Sequence, residues 1–204
     1  MMSGNPIHLP QAQHATVRQP RLPLHRAAGQ AMIRGQRCVL RTVRAADLPA
    51  LYLLINDASL QGEYLSLPLR SEPSFRKEFD ETGFLGDKRG RFLVTDLDDR
   101  LLGTVVYFDV NYMDGFEIGY HLFDPGQRKQ GLMSEAVRMA VDYLFSHHKI
   151  NRLQVVIAQG NEASKRLALK CGFSLEGTLR GNVFHHGHNH DSLLYSRLRA
   201  DAAR

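Results

Sequence analysis

Between Phe116 and Ala158 the hydrophobic period changes twice, and that change leaves few folds open. Phe116 to Phe123 reads as a strand, and Pro125-Gly126 breaks it. Met133, Ala136, Val137, Ala140, Val141, Leu144 and Phe145 then recur at the helical period and make one apolar stripe. Leu153 to Ala158 is short and nearly all apolar, the pattern of a central parallel strand covered on both faces. Asn161 caps a further helix with apolar positions at Ala163, Leu167, Ala168 and Cys171, and Gly172 ends it. Phe173 to Glu176 and Arg180 to His185 are extended, and Asp191 to Leu198 is a last strand reached through a turn at Gly187. The order is mixed α/β, and it predicts one sheet flanked by helices.

The first half is less periodic. Cys38 to Val43 reads as a strand, Asp47 as the cap of a helix through Leu48, Leu51 and Leu54, with Pro49 in its first turn. Residues 62–90 resist assignment, apart from a helix-like run from Ser74 to Phe79. Arg91 to Thr95 and Leu102 to Val110 form a hairpin around Asp98-Asp99-Arg100.

At 204 residues and 43% hydrophobic, the chain fits one domain, expected over residues 33–200, behind a flexible polar extension over residues 1–32. The formal charge of +5 fits a phosphate-bearing partner and equally a plain basic surface. Cys38 and Cys171 stand alone, which gives neither a disulfide framework nor a zinc site and makes a reducing, cytoplasmic compartment the expectation. No apolar run is long enough to span a bilayer, and the first residues lack a secretory pattern.

The segment Arg128-Lys129-Gln130-Gly131-Leu132-Met133-Ser134 lies between the broken strand and the amphipathic helix. Free N–H groups at a helix start can point at phosphate oxygens, and a glycine lets the backbone approach. Arg128 and Lys129 add charge, and Ser134 a hydroxyl. A solvated basic loop capping an ordinary helix has the same composition. The segment is neither a P-loop nor a dinucleotide fingerprint.

It does resemble the pyrophosphate-binding motif of the GNAT acyltransferases, and in particular their ribosomal-protein alanine acetyltransferase-like (RimJ/RimL-like) branch. Arg128 and Gly131 fill two motif places, whereas Met133 stands where Gly or Ala is usual. Glu117-Ile118-Gly119-Tyr120-His121-Leu122, Ser134-Glu135-Ala136, Asn151-Arg152, Asn161 with Ser164, Gly172-Phe173 with Glu176-Gly177, Arg180, Gly187 and Asp191 follow in family order. The resemblance implies a single domain with a mostly antiparallel mixed sheet, a central parallel pair and flanking helices. It implies acetyl-coenzyme A as donor cosubstrate, gripped by residues 128–134 and, along its pantetheine arm, by backbone near Leu122 and Phe123 and by Asn161. A primary amine, on a small molecule or a protein N-terminus, would be the acceptor, attacked directly in a ternary complex by a monomer or homodimer. No metal, nucleic acid or membrane is implied.

Such chemistry needs a neutral amine, a polarised carbonyl and a proton for the departing thiolate. Glu117 is the candidate base, acting directly or through water, or else a carboxylate at the sheet rim. Ser164 is the candidate proton donor and a contact to the cofactor, or else a first-turn serine bonded to backbone. The run from His185 to Asp191 has metal-ligand residue types, but lies on a turn where the family carries Gly and Asp without metal. Two other readings stay open: a non-catalytic acyl-coenzyme A sensor, for which Met133 is the warrant, and nucleic-acid binding through the positive charge.

Overall fold

The computed structural model describes residues 32–64, 68–185 and 187–203. The expected extension over residues 1–32 lies, but for its last residue, outside them. Eight strands form one sheet in the order β1-β2-β3-β4-β5-β6-β8-β7. In chain order these are β1 (Met32–Arg34), β2 (Val39–Arg41), β3 (Arg89–Thr95), β4 (Leu101–Asp109), β5 (Gly115–Leu122), β6 (Arg152–Ala158), β7 (Ser174–His185) and β8 (His188–Leu198). Every neighbouring pair is antiparallel except β5 and β6, the expected central parallel pair.

The parallel pair requires a crossover, and helix α4 (Leu132–His147) supplies it. Its apolar stripe packs on the face formed by Phe92, Val105, Tyr107, Ile118, Leu153 and Val155, the main core. Helix α5 (Glu162–Lys170) joins that layer through Leu167 and Ala168. The opposite face carries α1 (Leu48–Asn56), α2 (Ala58–Gln61) and α3 (Glu72–Thr82). There Phe75 is the central ring, stacked obliquely on Tyr52 and Phe84 over Leu51 and Leu93. Residue alternation explains the division: Phe92 and Val94 point to one layer, and Leu93 points to the other.

Three expectations need correction. Asp47 precedes α1 but makes no side-chain cap bond to it. Its carboxylate instead accepts from the Arg44 N–H and from both terminal nitrogens of the buried Arg41, whose third donor reaches Asp99 in the β3–β4 turn. Phe173 to Glu176 and Arg180 to His185 are not separate; one strand, β7, runs through both with two bulges against β8. Asp191 braces the second bulge by accepting from the Gly181 N–H at 2.8 Å. The first strand is a hairpin, with β1 preceding β2 across a turn at Gly35. A β-carbon on Gly35 would stand 2.6 Å from the Glu135 carboxylate, so the turn and the start of α4 meet only through a glycine.

Candidate active site

Strands β5 and β6 pair at Gly115↔Arg152, Phe116↔Leu153 and Glu117↔Gln154, and then part. From Ile118 onward β5 follows β4, while β6 follows β8 to Ala158↔Ser192. The result is a cleft in the middle of the sheet. The Phe123 N–H donates to Leu102 at 2.9 Å, and antiparallel bonding alternates, so Ile118, Tyr120 and Leu122 turn their N–H and C=O groups into the cleft. Buried backbone groups need partners, so such an edge favours an extended ligand carrying amides. Leu122 is the last residue of this edge, and its N–H faces the cleft. The N–H of Phe123 is committed to β4, which leaves only its carbonyl, and its ring lies in the smaller core.

The wide end of the cleft opens beside the start of α4. Lys129 (φ 64°) and Gly131 (φ +80°) are both left-handed, which gathers successive N–H groups on one concave side. The first helical N–H with an acceptor is that of Glu135, bonded to the Gly131 carbonyl at 3.0 Å. Among the described residues the N–H groups of Gly131 to Ser134 have no acceptor, and they lie at the positive end of the helix dipole, where an anion fits. Arg128, Lys129 and Gln130 are exposed around them. Leu132 and Met133 turn their side chains into the main core and can offer only backbone. The Met133 side chain therefore lies in the core and not in the loop.

One cation here was missed by the sequence reading. The Arg37 guanidinium lies 3.1 Å from where a β-carbon on Gly131 would stand. The Glu135 carboxylate holds it there by accepting from the N–H groups of Gln36 and Arg37. A glycine followed two residues later by arginine in a hairpin was the only local signal.

Glu117 and Ser164 lie on opposite sides of the sheet. Glu117 belongs to the α1–α3 face, where it accepts from Gln154 Nε2 at 2.9 Å. Gln154 is fully buried, its Nε2 also donates to Tyr112, and its Oε1 has no partner among the described residues. Burial pushes the Glu117 carboxyl above the usual glutamate value, and the Gln154 bond pulls it part of the way back. His121, on the same face, was not singled out in the sequence. Its Nε2 is 2.9 Å from the Leu60 carbonyl, which can only accept, so Nε2 carries the proton and Nδ1 keeps a lone pair. Burial lowers its pKa, the Leu60 bond opposes this, and the charges of Arg128 and Arg91 lower it further.

On the α4–α5 face, Asn161 caps α5 by accepting from the Ser164 N–H at 3.1 Å. Ser164 is half-buried in the first turn, and its carbonyl accepts from the Tyr120 hydroxyl at 3.3 Å. Burial pushes Tyr120 up to about 12, so it stays protonated. A group held in the cleft thus has a carboxylate and an imidazole to one side and two hydroxyls to the other. Among the described residues no cluster of three or more His, Cys, Asp or Glu side chains is placed to hold a metal. His190 donates to the His185 carbonyl, and His186 lies outside the described residues.

A split parallel pair ending at an anion-binding helix start defines a protein built to hold a long ligand with a phosphate head and an amide-bearing tail. The chain belongs to the acetyltransferase (GNAT) domain family, whose model matches residues 37–174. It is 40% identical over 93 residues to the Bacillus subtilis protein named "Probable N-acetyltransferase YjcK", a match covering 45% of this chain and 51% of that protein. The chain thus spans about half the length of that relative. Among solved structures, a ribosomal L7/L12 α-N-protein acetyltransferase in complex with coenzyme A superposes with a TM-score of 0.71 at 22% identity, over 82% of this chain and 97% of that one. A Vibrio cholerae spermidine N-acetyltransferase in complex with coenzyme A and spermine gives 0.73 at 21%, over 83% and 100%. The relatives cross several branches of the family.

Proposed function

We propose that this chain transfers an acetyl group from acetyl-coenzyme A directly to a primary amine, on a small molecule or a protein N-terminus. The observation that carries the reading is the cleft that parts β5 from β6 and ends at the N–H groups of Gly131 to Ser134. The residues present fit the donor: backbone donors, Arg37, Arg128 and Lys129 for its phosphates, and the Ile118–Leu122 edge for its amides. When bound, it supplies the activated acyl group.

The protein's own tasks then divide by face. Glu117, or His121 through Nδ1, takes the proton from the incoming ammonium on the α1–α3 side. The cleft-facing N–H of Leu122 is placed to stabilise negative charge developing on an oxygen held there. Ser164, with Tyr120 close by, returns a proton on the α5 side. The sensor reading loses its warrant, because the Met133 side chain is packed away from the loop.

On motif order we place the chain in the ribosomal-protein alanine acetyltransferase-like branch, working in the cytoplasm as a monomer or homodimer. Two isolated cysteines support that compartment, and no described helix is long and apolar enough to cross a membrane. The test is calorimetric titration with acetyl-coenzyme A and with free coenzyme A, followed by thiol release on amines and peptides. Saturable one-site binding with turnover is expected. Binding without turnover on any amine would return the sensor reading, and no binding by folded protein would end both.

A further inference from the structure

On the sheet face that carries Glu117, one cross-strand row is Arg89, Phe108 and Glu117, and the next is Arg91, Val106 and Gly119. Above the β3 end of these rows lies an open pocket of about 220 Å³, walled by α3. Its charged lining is Arg70, Arg89, Arg91 and Glu78, and Phe108 and Val106 lead from it toward Glu117 and Gly119.

The charges do not balance. Glu78 is already committed, with one oxygen 2.6 Å from Arg70 and the other 3.7 Å from Arg89. Arg91 has no carboxylate within ion-pair distance among the described residues, and its polar contact is a 3.5 Å approach to Thr104 Oγ1. Its guanidinium is enclosed enough for burial to pull its pKa down to about 10. Such a group has five N–H donors in a planar fork, and it is costly to enclose unless an oxyanion completes it. A carboxylate matches the fork with two parallel bonds.

We propose that Arg91, with Arg70 and Arg89, forms an acceptor subsite for a carboxylate carried on the same small molecule as the reacting amine. Arg91 and Gly119 are two strand spacings apart, about 10 Å. The reach of the arginine shortens that span to one or two residues, at about 3.5 Å each. Gly119 carries no side chain to block the path. The acceptor class is therefore an amino acid or dipeptide with a free carboxylate, and a polycation is repelled. This rests on the acetyl-transfer reading above.

The test pairs acceptors that differ only at that group: dialanine against its C-terminal amide, with spermidine as the polycation. Thiol release at saturating acetyl-coenzyme A is measured on the full chain and on Arg91→Met. Calorimetric binding of the same dipeptides beside free coenzyme A is measured in parallel. The carboxylate should be favoured by at least about tenfold in kcat/KM or Kd, and the preference should collapse in the variant, with coenzyme A affinity unchanged. Turnover with a carboxylate-to-amide ratio near one, or spermidine as the better acceptor, overturns the subsite and leaves acetyl transfer standing. No turnover with any of the three leaves acetyl transfer to be decided by the wider set of amines and peptides above. In that case Arg91-dependent binding of the carboxylate keeps the subsite, and its absence overturns it. Should Arg91→Met fail to fold, the wild-type ratio decides alone.

Discussion

Glu117 and His121 compete for one role, and pH separates them. A base works only when ionised or neutral as required, and Glu117 must be a carboxylate. Burial raises its pKa, so activity carried by Glu117 should fall as pH drops through a value above that of an ordinary glutamate. Gln154→Leu removes the bond that lowers this pKa, so the acid limb of kcat/KM should move to higher pH. Glu117→Gln should abolish the limb and lower kcat by about 10² or more, with acetyl-coenzyme A affinity little changed. A kcat within a few fold of wild type would assign the base to His121. Both residues are visible in the sequence, but their states are not. The free nitrogen of His121 follows from the Leu60 carbonyl, on a helix that the composition of residues 62–90 and their flank did not announce.

At the scale of elements, three strands are tied on the solvent side of the cleft's lower end. Arg152 of β6 makes a two-pronged ion pair with Glu176 of β7, which also accepts from Ser196 of β8 at 2.6 Å. The Arg152 bonds, then the Ser196 bond, hold the Glu176 carboxyl down at about 2, from an ordinary value of 4.5. A depressed folded-state pKa gives stability that is present above pH 4.5 and lost as pH falls toward 2. The thermal midpoint of wild type should therefore drop over that window, and Glu176→Gln should flatten that part of the curve. Equal slopes would mean that the pair is too exposed to matter. The elements themselves were largely legible, because apolar period is local: α4, β6 and α5 lie within a residue or two of their expected bounds. The strand β7 was not read as one, because bulges at Gly177 and near Gly181 interrupt the alternation that marks a strand.

Over the whole molecule, both cysteines end up inside the main core. Burial pushes Cys38 up to about 12 and Cys171 up to about 11. A thiol reagent at pH 8 should find no reactive group in native protein and two per chain after denaturation, matching the two cysteines present. Rapid native labelling of either would place its segment outside the packed structure.

Most of the strands and helices from Phe116 onward, the mixed sheet flanked by helices and the glycine-bearing loop before α4 were legible in the amino-acid order. Each of these depends on neighbours along the chain, such as a repeating apolar face, a proline break or a glycine at positive φ. The point where β5 leaves β6, the face that Glu117 shares with His121 and Arg91, and the place of Arg37 over Gly131 emerge only in the folded chain. Those depend on pairings between residues far apart in the chain, as when the Glu135 carboxylate anchors the Gln36-Arg37 backbone. No local pattern encodes them, because the free energy that selects them appears only when the distant partners meet.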